Sequence, residues 1–488
     1  MSFSQRAVAH AALIAAGAGS LVLSAMAVAR APIVNNDGAR YLAAAQAYAE
    51  SGLAGAERVY PWPFYSALIS LAAQADGSPI AAARVINAVL LALTAVAFVA
   101  IVRELGADTR LQWVAAGLVL SHPMLTRLRP ELVRDFGLWA CILIGLLALL
   151  RFGRQGSYRY AAAWAACGAL ALLFRPEAVI VWAIGALAPL LDSTLPLRRR
   201  AAGVCALQVV PVCALIAALT FLQVPVSLVP AQLGLLTGGF ESGARALAAG
   251  FPYPYGREYA PYILLWGLTA IPPVKIVLAM GGAQAILSGI GAARGPGSIE
   301  RRTLWLAAAA SAVPMLFILP VRLSLETRYA VPCSLILLAF APFGLARLLR
   351  GGKRGVAGAA VLATLVVVGW VRDINATESQ ELHLQAAGEW LREHTPAGAR
   401  LRTNSPQVAY YSQRRVDWNE VESLLLGEGP SVEGAPTEYV AMLLPKADDA
   451  VPPRAGTNPT GELVATFAGE NGERVLIYRS GPHAPSGP

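Results

Sequence analysis

The chain has 488 residues, of which 56% are hydrophobic and only 14% charged, with a formal net charge of +9. At a mean hydropathy of +0.53 it is too apolar for a soluble protein of this length. The composition instead predicts a polytopic α-helical membrane protein, and the basic charge, gathered in short segments between apolar stretches, is a topology signal that gives no reason to expect a nucleic-acid partner.

The first apolar stretch, residues 7–29, contains no Asp, Glu, Lys or Arg and is followed by IVNNDGARYLAAA, residues 33–45, which places Asp37 against its end. Further charge-free stretches follow at 85–102, 111–126, 136–150, 160–174, 178–191, 201–240, 276–293, 303–321, 329–346 and 355–371. Roughly 20 apolar residues cross a hydrocarbon core, and snorkelling flanks extend the shorter stretches, so about eleven transmembrane helices are expected. With Arg6 inside, this count puts Arg103, Arg151, Arg198, Arg301 and Arg347 and their basic neighbours all on the cytoplasmic side. The N-terminus is then cytoplasmic in a multi-pass protein of a bacterial inner membrane. Residues 31–83, 224–260 and everything beyond about 372 face outward. Within 31–83, GARYLAAAQAYAESG and YPWPFYSALISLAA read as amphipathic helices lying on the bilayer. The 224–260 segment, with GGFESG and FPYPYGREYAPY, reads as a long irregular outer loop, either a cover over an active site or a plain connection.

From residue 372 onward 10 Lys and Arg meet 16 Asp and Glu, a net −6, which leaves +15 for the membrane part. The tail, 372–480, has the pattern of a small periplasmic or extracellular α/β domain. A helix is expected over 378–394, a strand at ARLRTN, a short helix at PQVAYYSQ, and strands at EYVAMLL and ERVLIYR, with a disordered end at 481–488. The transmembrane domain is accordingly set at 1–371. All five cysteines lie in apolar stretches, so no disulfide framework is expected, and the five histidines lack metal-ligand spacing.

Charged residues recur at the expected outer ends of the apolar segments: Asp37 and Arg40, Arg84, then Glu131, Arg134 and Asp135 in TRLRPELVRDFG, Arg175 and Glu177 in LLFRPEAVI, and Arg328 with Tyr329 in LPVRLSLETRYAVP. Charges at a membrane boundary are costly unless hydrated or paired, which makes such clusters functional candidates, although Arg–Glu pairs can also simply pin helix ends. Arginines can hold a phosphate through charge-assisted hydrogen bonds, and a carboxylate can take a proton from a hydroxyl or hold a divalent cation. The implied reaction is displacement at a carbon bearing a phosphate leaving group. The chain has no G-x-x-x-x-G-K-[ST] phosphate loop and no G-x-S-x-G elbow, so no nucleotide cofactor is expected and a lipid-carried donor is favoured.

Taken in order, NNDGARYL, YPWPFYSALISL, RPELVRD, RPEAV, ETRYAVPCSLILLAF and AGARLRTNSPQVAYYSQRRV resemble the GT-C superfamily of integral-membrane glycosyltransferases, which includes protein mannosyltransferases and aminoarabinose transferases. The resemblance implies an inverting transfer from a polyprenyl-phosphate-linked sugar to an envelope glycan, lipid or protein on the outer face. It implies that Asp37 is the general base, a metal ligand, or both, and that Asp135, or Glu131, is the second acidic residue, with Mg2+ or Mn2+ as the cation if one is used. Here Asn36 stands before Asp37 where the family often has two acidic residues, which bears on metal use. By placement, Arg84, Arg175, Arg328 and Tyr329 are candidates for the phosphate, and Arg40, Glu131, Arg134 and Glu177 complete the candidate substrate-binding set. Two other readings are open: an O-antigen-type polymerase or ligase with a lipid diphosphate donor, and a transporter or flippase, for which Lys275 would be a mid-helix charge. Asn35 or Asp37 could also simply cap the helix that follows.

Overall fold

The computed structural model describes residues 3–31, 33–75, 77–192, 196–221, 228–293, 298–375, 381–425, 438–444, 461–470 and 472–480. The chain divides into two compact units. The first holds residues 1–24, 88–128 and 134–375, and the second 25–87, 129–133 and 376–488. The expected C-terminal boundary thus falls four residues later, at 375/376, and the segment 25–87, assigned above to the transmembrane domain, packs with the tail. The predicted disordered end, 481–488, lies outside the described residues.

In the first unit every charge-free stretch expected to cross is helical over its described residues, apart from short breaks. The reason is backbone accounting: in hydrocarbon each N–H and C=O must be satisfied within the segment, and an uninterrupted apolar chain does this as a helix. Six described helices are long and apolar enough to span on length and composition: His10–Arg30, Pro79–Glu104, Asp135–Gln155, Ala260–Met280, Ile299–Leu319 and Gly352–Asn375. A seventh candidate is the pair Thr327–Leu338 and Ala341–Leu349, bent by 44°. Shorter apolar helices, among them Tyr158–Phe174 and Gly282–Ala293, lie within other charge-free stretches but fall short of the span length.

The segment expected to be irregular is different. Leu228–Ala249 is a helix and Pro254–Arg257 a single turn, with residues 224–227 outside the described set. The Gly238–Gly239 pair suggested a loop, but the only proline, Pro230, lies in the first turn, where its missing N–H costs nothing, and Ala, Leu, Gln, Glu and Arg dominate the remainder.

Small residues allow one very close helix contact. A Cβ placed on Gly291 would lie 2.0 Å from the Phe340 carbonyl oxygen, and one on Gly344 would lie 2.0 Å from that of Leu287. The helices Gly282–Ala293 and Ala341–Leu349 therefore touch backbone to backbone, as small residues allow between membrane helices. Some buried polar groups find partners inside the unit: His122 Nε2 pairs with Ser334 Oγ at 3.0 Å, and Gln284 Nε2 donates to Ser121 O at 3.2 Å. Lys275 sits beside Thr327, with Nζ 3.5 Å from Oγ1. All five cysteines are free thiols.

The second unit is an α/β assembly. Strands β1 (Leu401–Thr403), β2 (Tyr439–Leu444), β3 (Glu462–Ala468) and β4 (Arg474–Arg479) form one sheet in the order β1-β2-β4-β3, with β1 parallel to β2 and the other pairs antiparallel. Its core is Leu384, Ala387 and Leu391 from the helix Leu382–His394, Val408 from Pro406–Ser412, and Leu401, Ala441, Val475 and Ile477 from the sheet. These are the elements expected in the tail. Strand β3 and the helix Trp418–Leu425 were not foreseen, and β3 is an edge strand whose residues are exposed or half-buried, so it carries little alternation to read.

The two helices foreseen in 31–83 are Asn36–Val59, kinked at Gly52 (φ 65°), and Phe64–Ala73. The first is tied to the tail. The Val34 N–H donates to Tyr411 Oη at 3.0 Å, and an Arg40 nitrogen pairs with Glu422 Oε2 at 2.8 Å.

Candidate active site

One cluster of candidate charges closes inside the first unit, and local sequence explains how. Pro176 keeps the preceding residue out of the helical region, so the helix Tyr158–Phe174 ends and Arg175 turns extended (φ −151°, ψ 127°). Glu177 then occupies the N-cap position of the helix Ala178–Gly185. Across from it Asp135 begins the helix Asp135–Gln155, where a carboxylate suits the positive end of the helix dipole. Gly137 lets the two chain ends meet: a Cβ there would lie 2.4 Å from the Phe174 ring, so Phe174 packs onto bare backbone and sets Arg175 beside Asp135.

Arg175 is buried, its side chain 6% exposed, and all three of its guanidinium nitrogens are engaged. One donates to Asp135 Oδ1, while Nε and the other terminal nitrogen donate to the two oxygens of Glu177 at 3.3 and 3.1 Å. Its face lies 4.6 Å from the centre of the Tyr329 ring, within cation–π range. Tyr329 and Arg328 come from the 3-10 turn Thr327–Ala330, and Arg328 forms a 2.7 Å ion pair with Glu326. Arg328 and Arg134 lie within electrostatic reach of Asp135.

These residues line a pocket enclosing about 390 Å³ when its open mouth is included. Asp135, Arg175, Glu177, Arg328, Tyr329 and Ser311 supply its polar groups. Leu138, Trp139 and Ile142 follow Asp135 at helical spacing and, with Val181, Pro314 and Ile318, supply an apolar wall. The pocket therefore has a charged end and an apolar wall.

Asp135, Arg175, Glu177, Arg328 and Tyr329 therefore come together, with Arg134 adjacent. Asp37, Arg40, Arg84 and Glu131 belong to the second unit and do not line this pocket. Asp37 is half-buried in the first turn of Asn36–Val59. Arg40, besides its pair with Glu422, donates from Nε to Val59 O at 3.0 Å and lies over Tyr60, and Arg84 donates to Ala31 O at 3.0 Å. The Glu131 carbonyl accepts from Asn87 Nδ2 at 3.2 Å. Asn35 stands at the N-cap without a capping hydrogen bond; its amide instead brackets Leu132, with Oδ1 accepting from the Leu132 N–H at 2.9 Å. Sequence reasoning missed Ser311 and the apolar wall, since Trp139 in a charge-free stretch carries no sign that distinguishes a pocket from lipid contact.

The donor set at Asp135 does not suit a divalent cation. Its carboxylate is held by a guanidinium, with two more arginines in reach, whereas Mg2+ or Mn2+ wants an uncompensated cluster of hard oxygens. Among the described residues, no three His, Cys, Asp or Glu side chains are grouped to hold a metal ion.

Helices long and apolar enough to span, together with a small mixed sheet, define a polytopic α-helical membrane protein. Among solved structures the chain is similar to the crystal structure of ArnT from Cupriavidus metallidurans bound to undecaprenyl phosphate, with a TM-score of 0.52 and 13% sequence identity over 97% of this chain and 100% of that one. No family model matches the sequence, and no curated protein matches it.

Proposed function

We propose that the protein is a membrane glycosyltransferase that moves a sugar from a polyprenyl-phosphate donor to a hydroxyl of an envelope glycan, lipid or protein on the periplasmic face of a bacterial inner membrane. The observation that carries this reading is the pocket of Asp135, Arg175, Glu177, Arg328 and Tyr329 with its apolar wall. The similar fold of ArnT, a protein captured with undecaprenyl phosphate, supports it.

The pocket's lining charges, two carboxylates and two guanidiniums, cancel. A donor phosphate must therefore displace a carboxylate to gain a guanidinium. Glu177 is the exchangeable partner, because its side chain is 29% exposed while that of Asp135 is 4% exposed. On this reading Asp135 keeps Arg175 in place as a positioning residue, and the phosphate takes the Arg175 edge given up by Glu177, with Arg328 and the Tyr329 hydroxyl completing its hydrogen bonds. The acceptor hydroxyl attacks the anomeric carbon from the face opposite the phosphate. The bond from that carbon to the phosphate oxygen breaks with its electron pair going to the phosphate, and the acceptor proton passes to a carboxylate base. Asp37, directly after the first apolar helix, is assigned as that base from its place in the chain and the superfamily resemblance. No step requires a metal.

The test is mass spectrometry of membrane lipids from cells making the wild type or Asp37→Asn at equal levels. Accumulation of a polyprenyl-phosphate sugar in the mutant is expected. A diphosphate-linked oligosaccharide would assign the chain to a polymerase or ligase instead, and unchanged lipids would remove Asp37 from the reaction.

A further inference from the structure

A second charged cluster lies away from the pocket, where the last spanning helix of the first unit meets a short one. Arg127 ends the helix Pro123–Leu128 and Arg372 lies in the last turn of Gly352–Asn375. Both guanidiniums converge on one oxygen of Asp373: Arg127 donates to Oδ1 at 3.3 and 2.9 Å, and Arg372 at 3.2 Å. The carboxylate is buried, its side chain 2% exposed, while the Arg127 and Arg372 side chains are 48% and 71% exposed. A buried acid thus fixes two arginines whose side chains stay substantially exposed, and the three side chains together carry one net positive charge.

Below Arg372 runs an exposed apolar stripe. Val361, Leu365 and Val368 lie 11, 7 and 4 residues before it, on the same helix face, and are 58%, 54% and 59% exposed. Only 6% of this helix's apolar window is buried. A single positive charge at the head of an apolar track matches an amphiphile with one negative charge at its head.

We infer that Arg127, Arg372 and the Val361–Leu365–Val368 face form a binding site for an anionic glycerophospholipid, with its phosphate on the two guanidiniums and an acyl chain along the stripe. The charge count selects this source over a polyprenyl phosphate. A phosphodiester carries one negative charge, equal to the cluster's single positive one, whereas a phosphate monoester carries about −1.5 to −2 at neutral pH. The site does not depend on the reaction proposed above.

Native mass spectrometry of the full-length protein in detergent, supplemented with phosphatidylglycerol, phosphatidylcholine or undecaprenyl phosphate, tests it. Arg372→Gln leaves the Arg127–Asp373 pair intact, so the variant folds. Wild type should retain a phosphatidylglycerol with about tenfold higher occupancy than Arg372→Gln, the size of one charge-assisted contact. Arg372→Lys should recover part of that retention, and phosphatidylcholine binding should not change. Equal phosphatidylglycerol retention in wild type and Arg372→Gln would overturn the site. Loss confined to undecaprenyl phosphate would overturn the choice of ligand.

Discussion

Asp135 and Arg175, 40 residues apart in the chain, form a buried ion pair where one spanning helix begins and a shorter apolar helix ends. Removing one member leaves a buried charge short of its partner. Asp135→Ala should therefore destabilise the protein by about 3–5 kcal/mol, while Asp135→Leu combined with Arg175→Met should recover much of that loss, because an apolar pair has no desolvation cost to offset. Thermal unfolding of the purified protein in detergent measures both. An Asp135→Ala effect no larger than that of a surface substitution would contradict the pairing.

The backbone contact of Gly291 and Gly344 sets a second expectation. Gly344→Ala puts a methyl where the Leu287 carbonyl oxygen stands and should cost about 1–3 kcal/mol through overpacking. Gly358→Ala, in a largely exposed helix with nothing within 4 Å of the new Cβ, should be neutral or stabilising by up to about 1 kcal/mol. A loss for Gly344→Ala and no loss for Gly358→Ala in the same unfolding assay are the expected result.

The Asn35 amide is a clasp between the start of Asn36–Val59 and the segment 129–133. Asn35→Ala leaves the Leu132 N–H without its acceptor, at a cost of about 1–3 kcal/mol. Hydrogen exchange at the Leu132 amide should accelerate in the variant. Gly38→Ala should have a similar effect, since its Cβ would fall 2.6 Å from Asn35 Oδ1 and 2.8 Å from Leu132 Cβ.

His383, in the helix Leu382–His394, has a side chain only 4% exposed, and burial holds its imidazole below the usual histidine range, partly opposed by Glu473 at 3.9 Å. The unfolded chain then binds the proton more readily than the folded one. The contribution is fully present above about pH 6.5, the unfolded value, and is lost as the pH falls from there through the depressed folded value. Denaturant unfolding followed by the second unit's fluorescence should show stability declining in that window. His383→Gln should flatten the decline, and an unchanged slope would exclude His383 as its source.

Much of the fold could be read from local pattern. Residues 136–150 and 355–371 became helices because an apolar run leaves the backbone no other way to bond, and ERVLIYR became β4 because its alternation matches a half-buried strand. The 228–249 helix was misread because glycines were weighed above the helix formers around them. The RPE in LLFRPEAVI was legible as a helix end, since proline constrains its neighbour whatever surrounds it.

The sequence by itself determined that the long apolar stretches are helices and that charges gather at their ends, because each depends on backbone hydrogen bonding and side-chain periodicity within a few residues. Only the tertiary structure decided which of those charges meet. Arg175 faces Asp135 because Phe174 packs on the bare backbone of Gly137, while Arg40, another candidate arginine near a helix end, is drawn to Glu422. Such pairings are fixed by the fit of surfaces distant in the chain, and short-range pattern carries no information about that fit.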